Sequence, residues 1–351
     1  MRKLVLFSVP LLFLSFLCSC EVKVKTANTP KDITVAEYFN YGDTGVQSAG
    51  IKMIPIQTPA GTFKVWTKRF GNNPRIKVLL LHGGPAAGHE YMECFESFFP
   101  KEGFEFYEYD QLGAPYSDQP TDSSLWTIPR YVDEVEQVRK AIGADATNFY
   151  VLGNSWGGIL AMEYALKYQK NLKGLIVADM VASCPDYGRY AYSVLAKQMD
   201  PKVLQEIKAI EAKGDFSNPR YEELLMPNFY QQHICRLNPW PDPVVRAFTH
   251  LDGTKVSKQI YVMMQGPSEF GIAGRLTNWD IKNRLKEISV PTLMVGAKYD
   301  TMDPKAMEEQ SKMVQHGSYL YCPNGSHMCM WDDQQVFMNG VIKWIKEVDA
   351  K

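Results

Sequence analysis

The stretch Val151–Leu166, VLGNSWGGILAMEYAL, runs from an apolar, strand-like segment through Gly153-Asn154-Ser155-Trp156-Gly157 into a helical pattern. A serine hydroxyl is a weak nucleophile at neutral pH and becomes useful only when it is exposed beside a base. The G-x-S-x-G spacing between a strand and a helix supplies the exposure. The turn forces strained backbone angles on Ser155, and small residues two positions either side let strand and helix approach without collision. The hydroxyl then stands next to the positive end of the following helix. The Trp156 backbone N–H points to where a tetrahedral oxyanion would form. The chemistry expected of such a turn is acyl transfer.

A base and an orienting acid are expected downstream, in the chain order Ser, Asp or Glu, His. After the strand-like PTLMVG (Pro291–Gly296) comes Ala297-Lys298-Tyr299-Asp300, a carboxylate in a loop leaving a strand end. Asp303 competes with Asp300 but lies farther from that end. After Tyr319–Cys322 comes Pro323-Asn324-Gly325-Ser326-His327, again a strand-end loop with a glycine to shape it. In these positions Asp300 holds the His327 imidazole in one tautomer, and His327 moves the Ser155 proton. Of the remaining histidines, His82 ends a strand and reads as structural. His89, His233, His250 and His316 read as surface residues or parts of a helical insertion. The second oxyanion donor is expected in Leu81-His82-Gly83-Gly84-Pro85, where two glycines after a buried strand let an N–H face a cavity. Gly84 is the first candidate and Gly83 the next.

These residues must be positioned by a sheet. KVLLLH (Lys77–His82), NFYVL (Asn148–Leu152), LKGLIVA (Leu172–Ala178) and PTLMVG are short apolar runs of the kind buried on both faces. TFKVWTK (Thr62–Lys68) alternates as an exposed strand does. Helical patterns at Ile128–Ile142 and Ile159–Tyr168 lie between the runs. The alternation predicts an α/β fold: a mostly parallel sheet with helices on both faces. It breaks near Ala182 and resumes near Ile288. The intervening stretch carries Pro201, Pro219, Pro227, Pro239, Pro241 and Pro243 with many aromatics, and predicts a mainly helical cap grown from a strand-end loop.

Composition narrows the class. The 351 residues suffice for one large domain with an insertion; 45% hydrophobic and 22% charged residues are ordinary for a globular enzyme. A formal net charge of -1 and no dense Lys/Arg run give no footing for nucleic acid. Cys94, Cys184, Cys235, Cys322 and Cys329 have no metal-ligand spacing, so no metal is expected and buried free thiols are. The first residues, MRKLVLFSVPLLFLSFLCSC, combine a basic start with an apolar run too short to span a membrane. Their end, Leu17-Cys18-Ser19-Cys20, resembles a bacterial lipoprotein signal. It implies removal of residues 1–19 and a lipid anchor on Cys20 that holds the protein to a membrane face in the cell envelope. Residues 20–40 would be a tether, 41–182 and 286–351 the two parts of the core, and 183–285 the cap.

Seven stretches together resemble the proline iminopeptidase family of α/β-hydrolases, including the tricorn-interacting aminopeptidases. They are LLLHGGP (Leu79–Pro85), YDQLG (Tyr109–Gly113), GNSWGG (Gly153–Gly158), FYQQHICRLNPWP (Phe229–Pro241), GPSEF (Gly266–Phe270), Tyr299-Asp300 and GSH (Gly325–His327). The resemblance implies an α/β-hydrolase fold and a serine aminopeptidase. Such an enzyme acts without a cofactor and takes the N-terminal residue, often Pro, from a short peptide or aminoacyl substrate. It also implies a cap carboxylate for the substrate ammonium, the role that Glu269 matches, with Gly83 at the substrate. No second carboxylate is evident: Asn238 stands near the expected place, and Glu222 and Glu223 lie upstream. Two motifs depart from the family pattern. HGGPG is here His82-Gly83-Gly84-Pro85-Ala86, and the loop after Asp110-Gln111 carries Pro115 in place of a glycine. The other readings are an esterase or amidase that uses the same triad on substrates lacking a free amine, and a non-catalytic surface lipoprotein.

Overall fold

The computed structural model describes residues 32–351 apart from residues 43 and 217. The signal-like stretch, Cys20 and residues 20–31 of the expected tether lie outside the described residues.

Eight strands form one sheet: β1 (Ile51–Thr58), β2 (Gly61–Phe70), β3 (Lys77–Leu81), β4 (Glu105–Tyr109), β5 (Phe149–Asn154), β6 (Gly174–Ala178), β7 (Thr292–Ala297) and β8 (Gly317–Cys322). Their order is β1-β2-β4-β3-β5-β6-β7-β8. The β1–β2 hairpin and the β2–β4 pair are antiparallel, and every other pair is parallel. Side chains alternate between faces. Leu79, Leu81, Val151, Leu175, Val177 and Met294 pack under helices Ile128–Ala141 and Trp156–Tyr168. Val78, Leu80, Leu152, Ile176, Leu293 and Val295 pack against Phe337, Val341 and Ile345 of the C-terminal helix Gln334–Asp349. Burial on both faces is why these strands read as unbroken apolar runs.

Periodicity does not disclose β4, EFYEY, because it carries two glutamates inside the core. Glu105 is fully buried yet neutralised: Arg69 and Lys77 lie 3.3 and 3.2 Å away, and the Asn73 N–H and Tyr107 hydroxyl donate to it. The edge strand β1 and the C-terminal helix also go beyond the sequence expectation. The helix expected from Ile159 begins at Trp156, so Gly157 and Gly158 lie inside its first turn.

Between β6 and β7, no described residue joins the sheet. Helices Cys184–Ser193, Pro201–Lys213, Pro219–Leu225, Asp242–Gly253 and Lys255–Met264 fill the interval. A proline occupies the first or second position of four of them. There its missing N–H costs nothing, since helix starts leave those donors unpaired. The density of prolines therefore marks helix starts. Phe229, Phe270, Leu224 and Ile207 give the insertion a small core of its own. Its two ends are pinned together by the Ser183–Asp280 bridge and by the hydrogen bonds Cys184 N–Trp279 O and Ile281 N–Ala182 O, at 2.8 and 2.9 Å. All five described cysteines are buried and free. No helix among the described residues is long and apolar enough to cross a membrane.

Candidate active site

Because β3, β5, β6, β7 and β8 run parallel, their carboxyl ends share one sheet edge, where open α/β sheets place their ligands. Ser155 follows β5 with φ 57° and ψ -124°. A non-glycine residue holds such angles only when its surroundings over-determine them. Here they do. A Cβ on Gly153 would lie 2.0 Å from Gly157 O, and one on Gly157 would lie 2.0 Å from Leu81 O. The paired glycines of the motif therefore allow backbone to touch backbone on both sides of the serine.

The loop after β7 delivers Asp300 and the loop after β8 delivers His327, whose Nδ1 lies 2.7 Å from Asp300 Oδ1. Both side chains are buried. Asp303 plays no part in this pair; it caps helix Pro304–Ser311 by accepting from Lys305 N. With Nδ1 committed to Asp300, Nε2 is the imidazole atom left for Ser155, which lines the same pocket as His327. Among the described residues no hydrogen bond joins Ser155 to His327; catalytic contacts of this kind commonly tighten on substrate binding. Burial disfavours the His327 cation, but the charge and hydrogen bond of Asp300 and the field of Glu269 outweigh it. Its pKa is raised above the ordinary imidazole value.

The glycines after β3 are distinguished by their partners. The Gly83 N–H donates to the Tyr91 hydroxyl at 2.6 Å, so it is not available to an oxyanion. The expectation of Gly83 as an alternative donor is corrected by that bond. Gly83 still lines the pocket, and its missing Cβ matters, since one would sit 2.9 Å from the Ser155 Cβ. Gly84 has φ 107°, and its N–H, like that of Trp156, has no partner among the described residues. The turn is braced from below. Gln111 donates its N–H to His82 Nε2 and its amide to His82 O, both at 3.0 Å, and accepts from the Trp156 indole at 2.7 Å. Burial lowers the His82 pKa, which keeps Nε2 an acceptor. Ala86, where the family pattern has glycine, keeps the positive φ that glycine would have, 65°.

Of the other histidines, His89 differs from the expected surface position, while His233 lies in the insertion as expected. His89 is buried, bonded to Asp110 at 2.7 Å and stacked on Trp66. His233 is buried too, because the insertion folds down onto the catalytic loops. Its Nδ1 meets Tyr299 O at 2.8 Å, its carbonyl accepts from His327 N, and Ile234 O accepts from Met328 N. His233 and Ile234 thus hold both the acid loop and the histidine loop. Neighbouring sequence gives no signal of this.

The pocket encloses about 440 Å³ including its mouth. Ile234, Ala247, Phe248, Leu251 and Met328 make its wall largely apolar, and Tyr91, Asn154, Tyr261 and Glu269 are its polar lining beside Ser155 and His327. Glu269 is the one carboxylate among these lining residues. Tyr261 donates to its Oε1 at 2.6 Å, and its backbone is held at N by the Tyr230 hydroxyl and at O by the Tyr187 hydroxyl. Burial raises its pKa, and the nearby His327 and the Tyr261 bond work the other way. Glu222 and Glu223 are exposed, and Asn238 does not line the pocket. Among the described residues no cluster of three His, Cys, Asp or Glu side chains is disposed to hold a metal.

A strained serine between strand and helix, with an imidazole–carboxylate pair from later strand ends, defines an α/β-hydrolase; the family model described as alpha/beta hydrolase fold matches residues 77–334. The chain belongs more particularly to the proline iminopeptidase family. It is 73% identical to a proline iminopeptidase of Flavobacterium johnsoniae, covering 85% of this chain and 98% of that protein. It is 72% identical to one of Elizabethkingia meningoseptica, covering 85% and 99%. Among solved structures it is similar to the proline iminopeptidase of Mycobacterium smegmatis, with TM-score 0.76, 25% identity, and 85% and 98% of the two chains covered.

Proposed function

We propose that this protein is a serine aminopeptidase that releases an N-terminal proline or other small apolar residue from short peptides. The observation that carries the proposal is the shared pocket: Glu269 lines the same apolar cavity as Ser155 and His327. A carboxylate in such a wall is costly unless its ligand brings the opposite charge. The α-ammonium of a substrate supplies that charge and orients the first carbonyl toward Ser155.

In this reading Ser155 Oγ attacks the carbonyl carbon while His327 Nε2 takes the hydroxyl proton. The Gly84 and Trp156 N–H groups stabilise the oxyanion, each worth roughly 3–4 kcal/mol in comparable sites. His327 passes the proton to the departing amine, and water, activated by the same imidazole, releases the acyl group. Asp300 keeps Nδ1 protonated and stabilises the imidazolium. The proposal extends to the envelope: residues 1–19 are removed and Cys20 carries the anchor. Incorporation of labelled palmitate, lost on Cys20→Ser, is the expected result in a bacterial host.

Turnover of aminoacyl-naphthylamides, with Pro and Ala at the first position and N-acetylated controls, tests the assignment. Free amines are expected to be cleaved and blocked ones spared. Equal rates on both would replace the aminopeptidase by an esterase or amidase with the same triad. Failure of a fluorophosphonate to label the folded protein at Ser155 would instead favour a binding protein.

A further inference from the structure

The polar groups lining the pocket include two that the mechanism above does not use, Tyr91 and Asn154. They form a chain of hydrogen bonds across the site. The Tyr91 oxygen accepts the Gly83 N–H at 2.6 Å, and its hydroxyl donates to Asn154 Oδ1 at 2.9 Å. Asn154 Nδ2 donates to His327 O at 3.3 Å and to Asp179 Oδ2 at 3.2 Å. Tyr91 and Asn154 are buried, and burial keeps the phenol protonated and able to donate. Asp179, buried at the end of β6 with φ 54°, is fixed in turn by the Cys329 thiol at 3.2 Å.

We propose that Tyr91 and Asn154 are positioning residues that lock the oxyanion turn, the nucleophile turn and the histidine loop into one geometry. The inference rests on the serine-hydrolase reading of Ser155 and His327. Three features support it. Asn154 immediately precedes Ser155, so its side chain reports directly on the strained serine. Tyr91 occupies the Gly83 N–H and thereby selects the neighbouring Gly84 N–H as the one that faces the cavity. The Asn154 amide divides its donors between the histidine loop and the β6 end, so no segment of the site shifts without breaking a buried bond. Catalytic groups displaced by about 1 Å lose on the order of 100-fold in rate, so a relay of this kind acts on the chemical step rather than on binding.

The test compares the full chain with Tyr91→Phe, Asn154→Ala and the double variant. kcat and KM are measured on the best naphthylamide, together with the rate of fluorophosphonate labelling and the melting temperature. Tyr91→Phe removes one oxygen and no bulk, so it is the variant expected to fold. The expected result for it is a roughly 10- to 100-fold fall in kcat and in labelling rate. KM should stay within about threefold. The double variant is expected to be no worse than the poorer single one, as for groups acting as a unit. A Tyr91→Phe enzyme with wild-type kcat and labelling overturns the relay, and so do losses that multiply in the double variant. An Asn154→Ala protein that melts early but labels at the wild-type rate counts equally against it. A wild-type protein that neither labels nor turns over would sink the serine-hydrolase reading itself, which is a different outcome.

Discussion

Ser155, His327 and Glu269 make the residue-scale predictions, because the charges of the last two are coupled. His327 accepts a proton only when neutral, so activity falls as pH drops through its pKa. That pKa is raised in the folded protein, so the acid limb of kcat/KM is expected above the ordinary imidazole value of about 6.5. Glu269 is one of the groups raising it. Glu269→Gln should therefore move the acid limb toward lower pH while raising KM for free-amine substrates. A pH profile that does not move would show that Glu269 and His327 are electrostatically independent. Ala86 offers a stability prediction at the same scale. Its φ of 65° lies in the left-handed region, which costs a residue with a Cβ about 1–2 kcal/mol. Glycine there loses part of that gain to chain entropy. Deleting the buried Ala86 methyl also forfeits about 0.8 kcal/mol, so Ala86→Gly should leave stability within about 0.5 kcal/mol of the parent, read by thermal unfolding.

The nucleophile turn behaves as an element because β5, β3 and the helix from Trp156 meet at glycine backbones. A methyl on Gly157 has nowhere to go but into Leu81 O, which belongs to a central strand. Gly157→Ala is expected to cost roughly 3 kcal/mol or more and to abolish activity, with the loss visible in both melting temperature and turnover. Gly83→Ala differs in kind. Its Cβ meets the Ser155 Cβ at 2.9 Å and the Tyr91 hydroxyl at 3.2 Å, and the Asn154 carbonyl only at 3.3 Å, so no contact is as severe as that of Gly157. Activity should fall far more than stability, and equal losses of both would contradict the placement of that turn against the serine.

At the scale of the whole molecule, the insertion is tied to the core by a buried carboxylate. Glu90, in the segment after the oxyanion turn, accepts from Arg246 at 2.9 Å, His250 at 2.7 Å and the Tyr116 hydroxyl at 3.1 Å. Arg246 and His250 belong to helix Asp242–Gly253, which gives Ala247, Phe248 and Leu251 to the pocket wall. Glu90→Gln leaves a cationic donor facing a neutral amide and should cost about 1–3 kcal/mol. Because the loosened helix forms the wall but carries none of the reacting groups, KM for small apolar substrates should rise with kcat little changed. A fall in kcat at constant KM would place the helix nearer the chemistry than its position suggests.

The amino-acid order alone determined whatever depends on neighbours in the chain. G-x-S-x-G, the loops after PTLMVG and YLYC, and the four buried strand runs are each local patterns enforced by sterics or by burial on two faces. β4 was hidden for the opposite reason, since a buried glutamate such as Glu105 is acceptable only in the packed fold, held there by Arg69 and Lys77, 36 and 28 positions away. Tertiary structure decided which of two adjacent glycines keeps a free N–H, because a tyrosine eight positions on claims the other. It decided between Asp300 and Asp303, one of which faces His327 while the other caps a helix. It also buried His89 and His233, which spacing assigns to the surface or the insertion. Bonds such as His89–Asp110 and His233–Tyr299, 21 and 66 positions apart, leave no periodic trace, since only the closed fold brings donor and acceptor together.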